Sequence, residues 1–107
     1  TIKNYLNYIV KNNSDYQHHI TIQGVPCPNL DVRNHSQKDI RQLSEIIETF
    51  NFELKMQSQE KGFGFLDTYQ LTNRGDGMSN GSWHIDGYHL SPEGMQEAWR
   101  RYGSEKS

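Results

Sequence analysis

The chain predicts an α/β fold, parallel strands covered by helices, and three observations carry that prediction. Two short stretches rich in β-branched and aromatic residues, 19–25 (HITIQGV) and 63–69 (FGFLDTY), read as strands. A long stretch with helical apolar spacing lies between them, and strand, long helix, strand is a βαβ unit whose crossover implies parallel, right-handed pairing. Parallel strands need cover on both faces, and helical stripes at both ends of the chain are available to supply it.

The elements follow in order. Ile2, Tyr5, Leu6 and Ile9 have i, i+3, i+4, i+7 spacing and predict a helix over 2–12. Asn12-Asn13-Ser14-Asp15 ends it with turn chemistry. The first strand closes at Pro26 and Pro28, and polar loop residues follow to Ser36. Ser36 caps the next helix, with Asp39 in a capping-box-like position. Ile40, Leu43, Ile47, Phe50 and Leu54 mark one stripe of that helix, with Ile46 beside it. It runs to Gln59 and breaks at Lys61-Gly62. After the second strand, residues 70–90 read as a polar loop, and a structureless loop of roughly 20 residues in a small domain is uncommon and often functional. Ser91 caps a last helix with Pro92 at its first position, where a missing N–H costs nothing. Met95, Ala98, Trp99 and Tyr102 are its expected buried stripe.

Bulk properties set limits. The 107 residues suffice for one domain spanning 1–107, and only 33% are apolar, so a thin core or a piece of something larger is expected. A net charge of −2 gives no reason to expect nucleic acid or an anionic membrane as partner. Cys27 is the single cysteine, which rules out an internal disulfide and leans toward a reducing, cytoplasmic setting. No apolar run approaches the ~20 residues of a membrane span, and the start at Thr1 shows no signal-peptide pattern.

The stretch WHIDGYHLSPEG, residues 83–94, concentrates chemistry at the carboxyl side of the second strand, the edge where open α/β sheets bind ligands. An aspartate three residues before a histidine can accept from one imidazole nitrogen and leave the other free as a base. On spacing alone the alternative is an Asx-type turn with a polar residue before a helix, and short patterns favour that alternative.

DGYHLSPEGMQEAW, however, resembles the last conserved block of the SGNH hydrolases, also called GDSL esterases and lipases. That block is Asp-x-x-His followed by a helix start containing Ser, Pro or Gly; Asp86-Gly87-Tyr88-His89 and Leu90-Ser91-Pro92-Glu93-Gly94 fit it. GFGFLDTY resembles the strand preceding that block, and HITIQGVPCP the strand before. The resemblance implies the C-terminal half of a three-layer, flavodoxin-like α/β/α domain. It implies a serine esterase acting on a small-molecule ester, with His89 as general base, Asp86 as its orienter, and no cofactor. The family's Gly-Asp-Ser and Gly-x-Asn-Asp blocks are absent from the chain, so the nucleophile half is expected elsewhere and the isolated chain is expected to be inactive. A sheet edge left open for that half invites self-association. The alternative is a non-catalytic interaction or assembly module.

Other residues carry weaker patterns. Gly77-Met78-Ser79-Asn80-Gly81 matches the Gly-x-Ser-x-Gly elbow, but that elbow needs a strand before and a helix after; Ser79 stands as a remote nucleophile. Arg74-Gly75-Asp76 matches an adhesion tripeptide that recurs by chance. His84, Asp86 and His89 could supply three metal ligands, but the hydrolase reading explains the stretch better, and no metal is expected. His18-His19 reads as a strand edge. Trp83 and Tyr88 either line an acyl or sugar pocket or pack over the loop. Trp99 reads as core, and Cys27 as a small buried apolar residue.

Overall fold

A computed structural model of the chain describes residues 1–13, 15, 19–30 and 35–106. Ser14 of the first predicted turn, His18, and the middle of the polar loop after the first strand lie outside the described residues. Six elements follow in order: α1 (Ile2–Asn12), β1 (Thr21–Gln23), α2 (Gln37–Glu60), β2 (Gly64–Leu66), α3 (Thr68–Thr72) and α4 (Pro92–Lys106). The two strands pair in parallel, Thr21 with Gly64, Ile22 with Phe65 and Gln23 with Leu66, as the βαβ pattern predicts.

Alternation along β2 divides the core. Phe65 faces a cluster of Leu6, Ile22, Leu54 and Phe63, which α1 and α2 cover; Leu66 faces the other way, onto Leu71 of α3 and Ala98 of α4. Both strands are shorter than the apolar stretches suggest. The ladder extends only through Gly64 N–H to the Ile20 carbonyl and Gly24 N–H to the Leu66 carbonyl, each 2.9 Å.

The helix starts follow local chemistry. The Ser36 hydroxyl accepts from the Asp39 N–H at 3.1 Å, capping α2. Gly62, at φ +80°, makes the left-handed turn that separates α2 from β2. The second predicted strand ends early because Asp67 caps α3, its carboxylate accepting from the Gln70 N–H at 3.0 Å. The predicted loop over 70–90 therefore loses its first residues to a short helix. The rest is braced by isolated antiparallel bridges, Asn73 with Ser79 and His84 with Leu90.

Two expected stripes are corrected. Of the expected apolar stripe on α2 only Leu54 is buried: Phe50 is 41% exposed and Ile46 66%, because the two-stranded sheet is narrower than the helix face laid on it. On α4, Ala98 is buried but Trp99 is 47% exposed, its ring meeting Tyr102 edge-on at 5.6 Å rather than entering the core. A groove of about 620 Å³ runs along the outer side of β1, lined by Ile2, Tyr5, Val25, Phe50 and Leu54. Among the described residues β1 has no strand partner but β2.

Buried polar side chains fasten the chain where β1 ends. The Asn51 amide accepts from the Val25 N–H at 2.8 Å and donates to the Val25 carbonyl at 2.9 Å. The Thr68 hydroxyl donates to the Gly24 carbonyl at 2.6 Å, and the Thr72 hydroxyl accepts from the Cys27 N–H at 2.8 Å. Side chains thus satisfy a departing strand end that no third strand pairs, and an unpaired buried peptide group would cost about 1–3 kcal/mol.

Candidate functional site

The segment after α3 folds back on itself in two stages, and the second stage carries the Asp-x-x-His turn. In the first, the Asn73 carboxamide accepts from the N–H groups of Gly75 and Gly77 at 2.8 and 2.9 Å, and Arg74 N–H donates to the Met78 carbonyl at 3.0 Å. Arg74 and Asp76 close this turn with an exposed ion pair at 2.8 Å, so the Arg-Gly-Asp tripeptide is held as a local turn. In the second, Ile85 N–H donates to the His89 carbonyl at 3.0 Å and Ser91 N–H to the Trp83 carbonyl at 2.7 Å. A small hairpin results, with Asp86 to Tyr88 at its tip and α4 at its base.

The base is fixed by close packing. Ser91 caps α4, its hydroxyl accepting from the Gly94 N–H at 3.0 Å. A Cβ on Gly94 would lie 2.7 Å from the Trp83 carbonyl oxygen, so the hairpin can seat on the helix only where a side chain is missing. Trp83 itself packs against the Leu66–Leu71–Ala98 cluster. The segment leaving β1 supports the hairpin from the side: Asn29 N–H donates to the Gly87 carbonyl at 2.8 Å, and Pro28 accepts from the Ser79 N–H at 2.9 Å. The site therefore sits at the carboxyl edge of the strands, where an open parallel sheet presents its loops.

At the tip, one carboxylate organises everything. Asp86 Oδ1 accepts from the N–H groups of Tyr88 and His89 at 2.8 and 2.7 Å, an Asx-type turn. The same carboxylate faces His89 Nδ1, with Oδ2 at 2.8 Å and Oδ1 at 3.1 Å. The turn and the histidine pairing, alternatives on spacing alone, are both present in one group. The N–H groups of Tyr88 and His89, and then the His89 imidazole, hold the Asp86 carboxyl down at about 2. An imidazole whose Nδ1 faces a carboxylate carries its hydrogen there, which leaves Nε2 as the basic nitrogen. The His89 side chain is 75% exposed, so Nε2 is open to an incoming group. Tyr88 is also exposed and borders a small hollow with Leu30, His35 and Ile40.

A second histidine pair lies beneath, and its contact is absent from any sequence expectation. Ser79 Oγ is 2.8 Å from His84 Nδ1 and accepts from the Gly81 N–H at 2.9 Å. Ser79 is 6% exposed, and His84 Nε2 is buried with no hydrogen-bond partner. Burial lowers the His84 pKa more than the Cys27 carbonyl and Asp86 raise it, which favours the neutral ring. The glycines of the Gly-x-Ser-x-Gly match serve the turn, with Gly77 at φ +83° and Gly81 at φ +84°. Among the described residues Ser79 has no strand immediately before it and no helix immediately after it. His84 turns inward to Ser79 while His89 turns outward to Asp86, and among the described residues no group of three or more His, Cys, Asp and Glu is placed to hold a metal ion. Cys27 is fully buried with its thiol pushed up to about 11, chiefly by burial, which makes it unreactive.

Among the described residues no helix is long and apolar enough to cross a membrane. Comparison with protein-family models, with curated proteins and with solved structures returns no match for this chain.

Proposed function

We propose that this chain supplies the general base and its orienting carboxylate to a serine esterase of the SGNH type, as the C-terminal half of a three-layer, flavodoxin-like domain. The observation that carries the reading is the Asp86–His89 pair: Nδ1 held at 2.8 Å by a carboxylate that two backbone N–H groups keep ionised, with the opposite nitrogen facing solvent. The groove beside β1, with Tyr5, Phe50 and Val25 exposed along it, supports a partner strand from the other half of the domain.

In this reading a serine hydroxyl from that half hands its proton to His89 Nε2 as its oxygen attacks the ester carbonyl. Asp86 stabilises the imidazolium so formed, and His89 returns the proton to the departing alcohol. Water then enters by the same route: His89 removes its proton as its oxygen attacks the acyl carbon, the bond to the serine oxygen breaks, and His89 returns the proton to that oxygen. The chain contributes no oxyanion donors of the family's type, so alone it is inactive.

The same exposed groove favours a second reading, an assembly module whose histidine turn is not used in catalysis. Hydrolysis of p-nitrophenyl acetate by the protein that joins this chain to its nucleophile half separates the two. His89→Ala is expected to lower turnover by about 10²- to 10⁴-fold, the span of general-base catalysis. Undiminished turnover in that variant overturns the esterase reading. So does turnover by the 107-residue chain alone that Ser79→Ala abolishes.

A further inference from the structure

Between the sheet and the hairpin tip runs a short connector, Val25-Pro26-Cys27-Pro28-Asn29. Each proline ring fixes its own φ near −65° and pushes the residue before it, Val25 or Cys27, toward extended backbone. The prolines have no N–H, and the N–H groups that remain are all spent. Val25 donates to the Asn51 carboxamide of α2, Cys27 to the Thr72 hydroxyl at the end of α3, and Asn29 to the Gly87 carbonyl at the tip, each at 2.8 Å. The Pro28 carbonyl takes the Ser79 N–H at 2.9 Å. Cys27 and Pro28 are fully buried. A segment with so little backbone freedom, held at alternate residues along its length, behaves as a stiff rod rather than as a loop.

The far end of this rod meets the site. Among the described residues, Asn29 is the one residue outside the hairpin that hydrogen-bonds to the tip over 85–89. Its N–H reaches the Gly87 carbonyl, and its carboxamide lies 3.4 Å from the Asp86 carbonyl. The Asx-type turn fixes the imidazole relative to Asp86, but every bond of that turn lies within the hairpin. A hairpin seated only at its base, where Gly94 meets Trp83, can tilt as a body with those bonds intact. The Asn29 N–H opposes such a tilt. Proton transfer depends on the placement of the base, and a misplacement of about 1 Å can cost about 10²-fold in rate.

We infer that the segment from Val25 to Asn29 is a strut that sets where His89 stands relative to the sheet, with Asn29 as the positioning residue that attaches it to the tip. Its catalytic consequence rests on the esterase reading; the strut itself does not, and it is tested separately. Residual dipolar couplings are measured on the ¹⁵N-labelled 107-residue chain. Residues 85–89 are expected to share the alignment of β1 and β2. Asn29→Pro removes the N–H and is expected to free the tip from that alignment, while the ¹⁵N shifts of the His89 ring keep the Nδ1-protonated form. Pro26→Gly with Pro28→Gly retains the residues that make the bonds and releases the backbone alone, so it decides the matter where Asn29→Pro does not fold. A tip that stays on the alignment of the sheet in the folded variant, or lies off it in the unaltered chain, overturns the inference. In a protein that joins this chain to a nucleophile half, the variant with the freed tip is expected to lower kcat about 10²-fold per serine titrated, at unchanged KM. A merely structural role would lower only the number of titratable serines. Turnover lost in His89→Ala with kcat undiminished in the freed-tip variant overturns the positioning role and leaves the esterase reading standing. A freed tip together with turnover undiminished in His89→Ala upholds the strut and sinks the esterase reading.

Discussion

Two histidine pairs lie within eleven residues of each other and share one heavy-atom distance, 2.8 Å from Nδ1 to an oxygen. Their environments are opposite. His84 meets a hydroxyl beneath the loop, and its Nε2 is enclosed without a partner. His89 meets a carboxylate at the tip of a hairpin, and its ring stands mostly in solvent. A hydroxyl gives the buried imidazole no charge to stabilise a proton, whereas Asp86 does. Contact distance alone therefore does not identify a base. Access to the second nitrogen, and the charge behind the first, decide which pair can do chemistry and which can only hold a loop in place.

The sharpest way to break this contrast is to compare variants of the two pairs in the protein that the esterase reading calls for, one that joins this chain to a nucleophile half. His89→Ala should remove about 10²- to 10⁴-fold of turnover yet change unfolding free energy by less than about 0.5 kcal/mol, as for exposed positions in general. Activity and denaturation curves on one preparation check both. Equal losses of stability in His89→Ala and Ser79→Ala would show that the pairs do the same structural job.

Next in size is the seat of the hairpin. Gly94→Ala forces a methyl group against the Trp83 carbonyl and is expected to cost about 3 kcal/mol by overpacking. Thermal melting should register this as a fall of more than about 10 °C at the sensitivity of a small domain. An unchanged melting temperature would mean that the hairpin is not docked on α4.

Ser79→Ala comes third. It orphans His84 Nδ1 and the Gly81 N–H, at a cost of about 2 kcal/mol for buried polar groups left unpaired, while ester turnover by the folded protein persists. Turnover lost in proportion to His89→Ala would promote the buried pair to a catalytic role.

The smallest effect is in pH. The folded pKa of Asp86 is held at about 2, below its ordinary 3.8, and that of His84 lies below its ordinary 6.5. In both cases the unfolded chain binds more protons, so stability falls on acidification. The His84 contribution is lost as pH drops below about 6.5 and the Asp86 contribution as pH falls from 3.8 through about 2. A ¹³C titration of the Asp86 carboxyl should find its midpoint near 2; a midpoint at the ordinary value would mean that the Tyr88 and His89 N–H groups do not hold it.

Much of the frame was legible because it rests on local rules. The Ser36 and Ser91 caps, the span of α1 and the break at Gly62 each follow from neighbours in the chain. So did the Asp86–His89 contact, since three residues within one turn can hardly avoid each other. The α3 helix was missed because Thr68, Tyr69 and Thr72 favour strands, and the Asp67 cap outweighed that preference. Trp99 was misplaced because periodicity says which residues share a face, not how wide a sheet that face finds. The contact between Ser79 and His84 had no signal: it depends on the two left-handed glycines and on Pro28 receiving the Ser79 N–H.

The Asn51 amide has one more consequence. It grips both polar groups of Val25, and the next residue, Pro26, has no N–H to offer. Sliding β1 along β2 by one residue toward its start would bring Pro26 under that amide and leave its oxygen without a donor. A two-residue slide, which would keep every side chain on its proper face, would put Cys27 there, already committed to Thr72. A short ladder of this kind has little of its own to resist slippage. A single helix side chain and an imino acid act together as a detent against a shift in that direction.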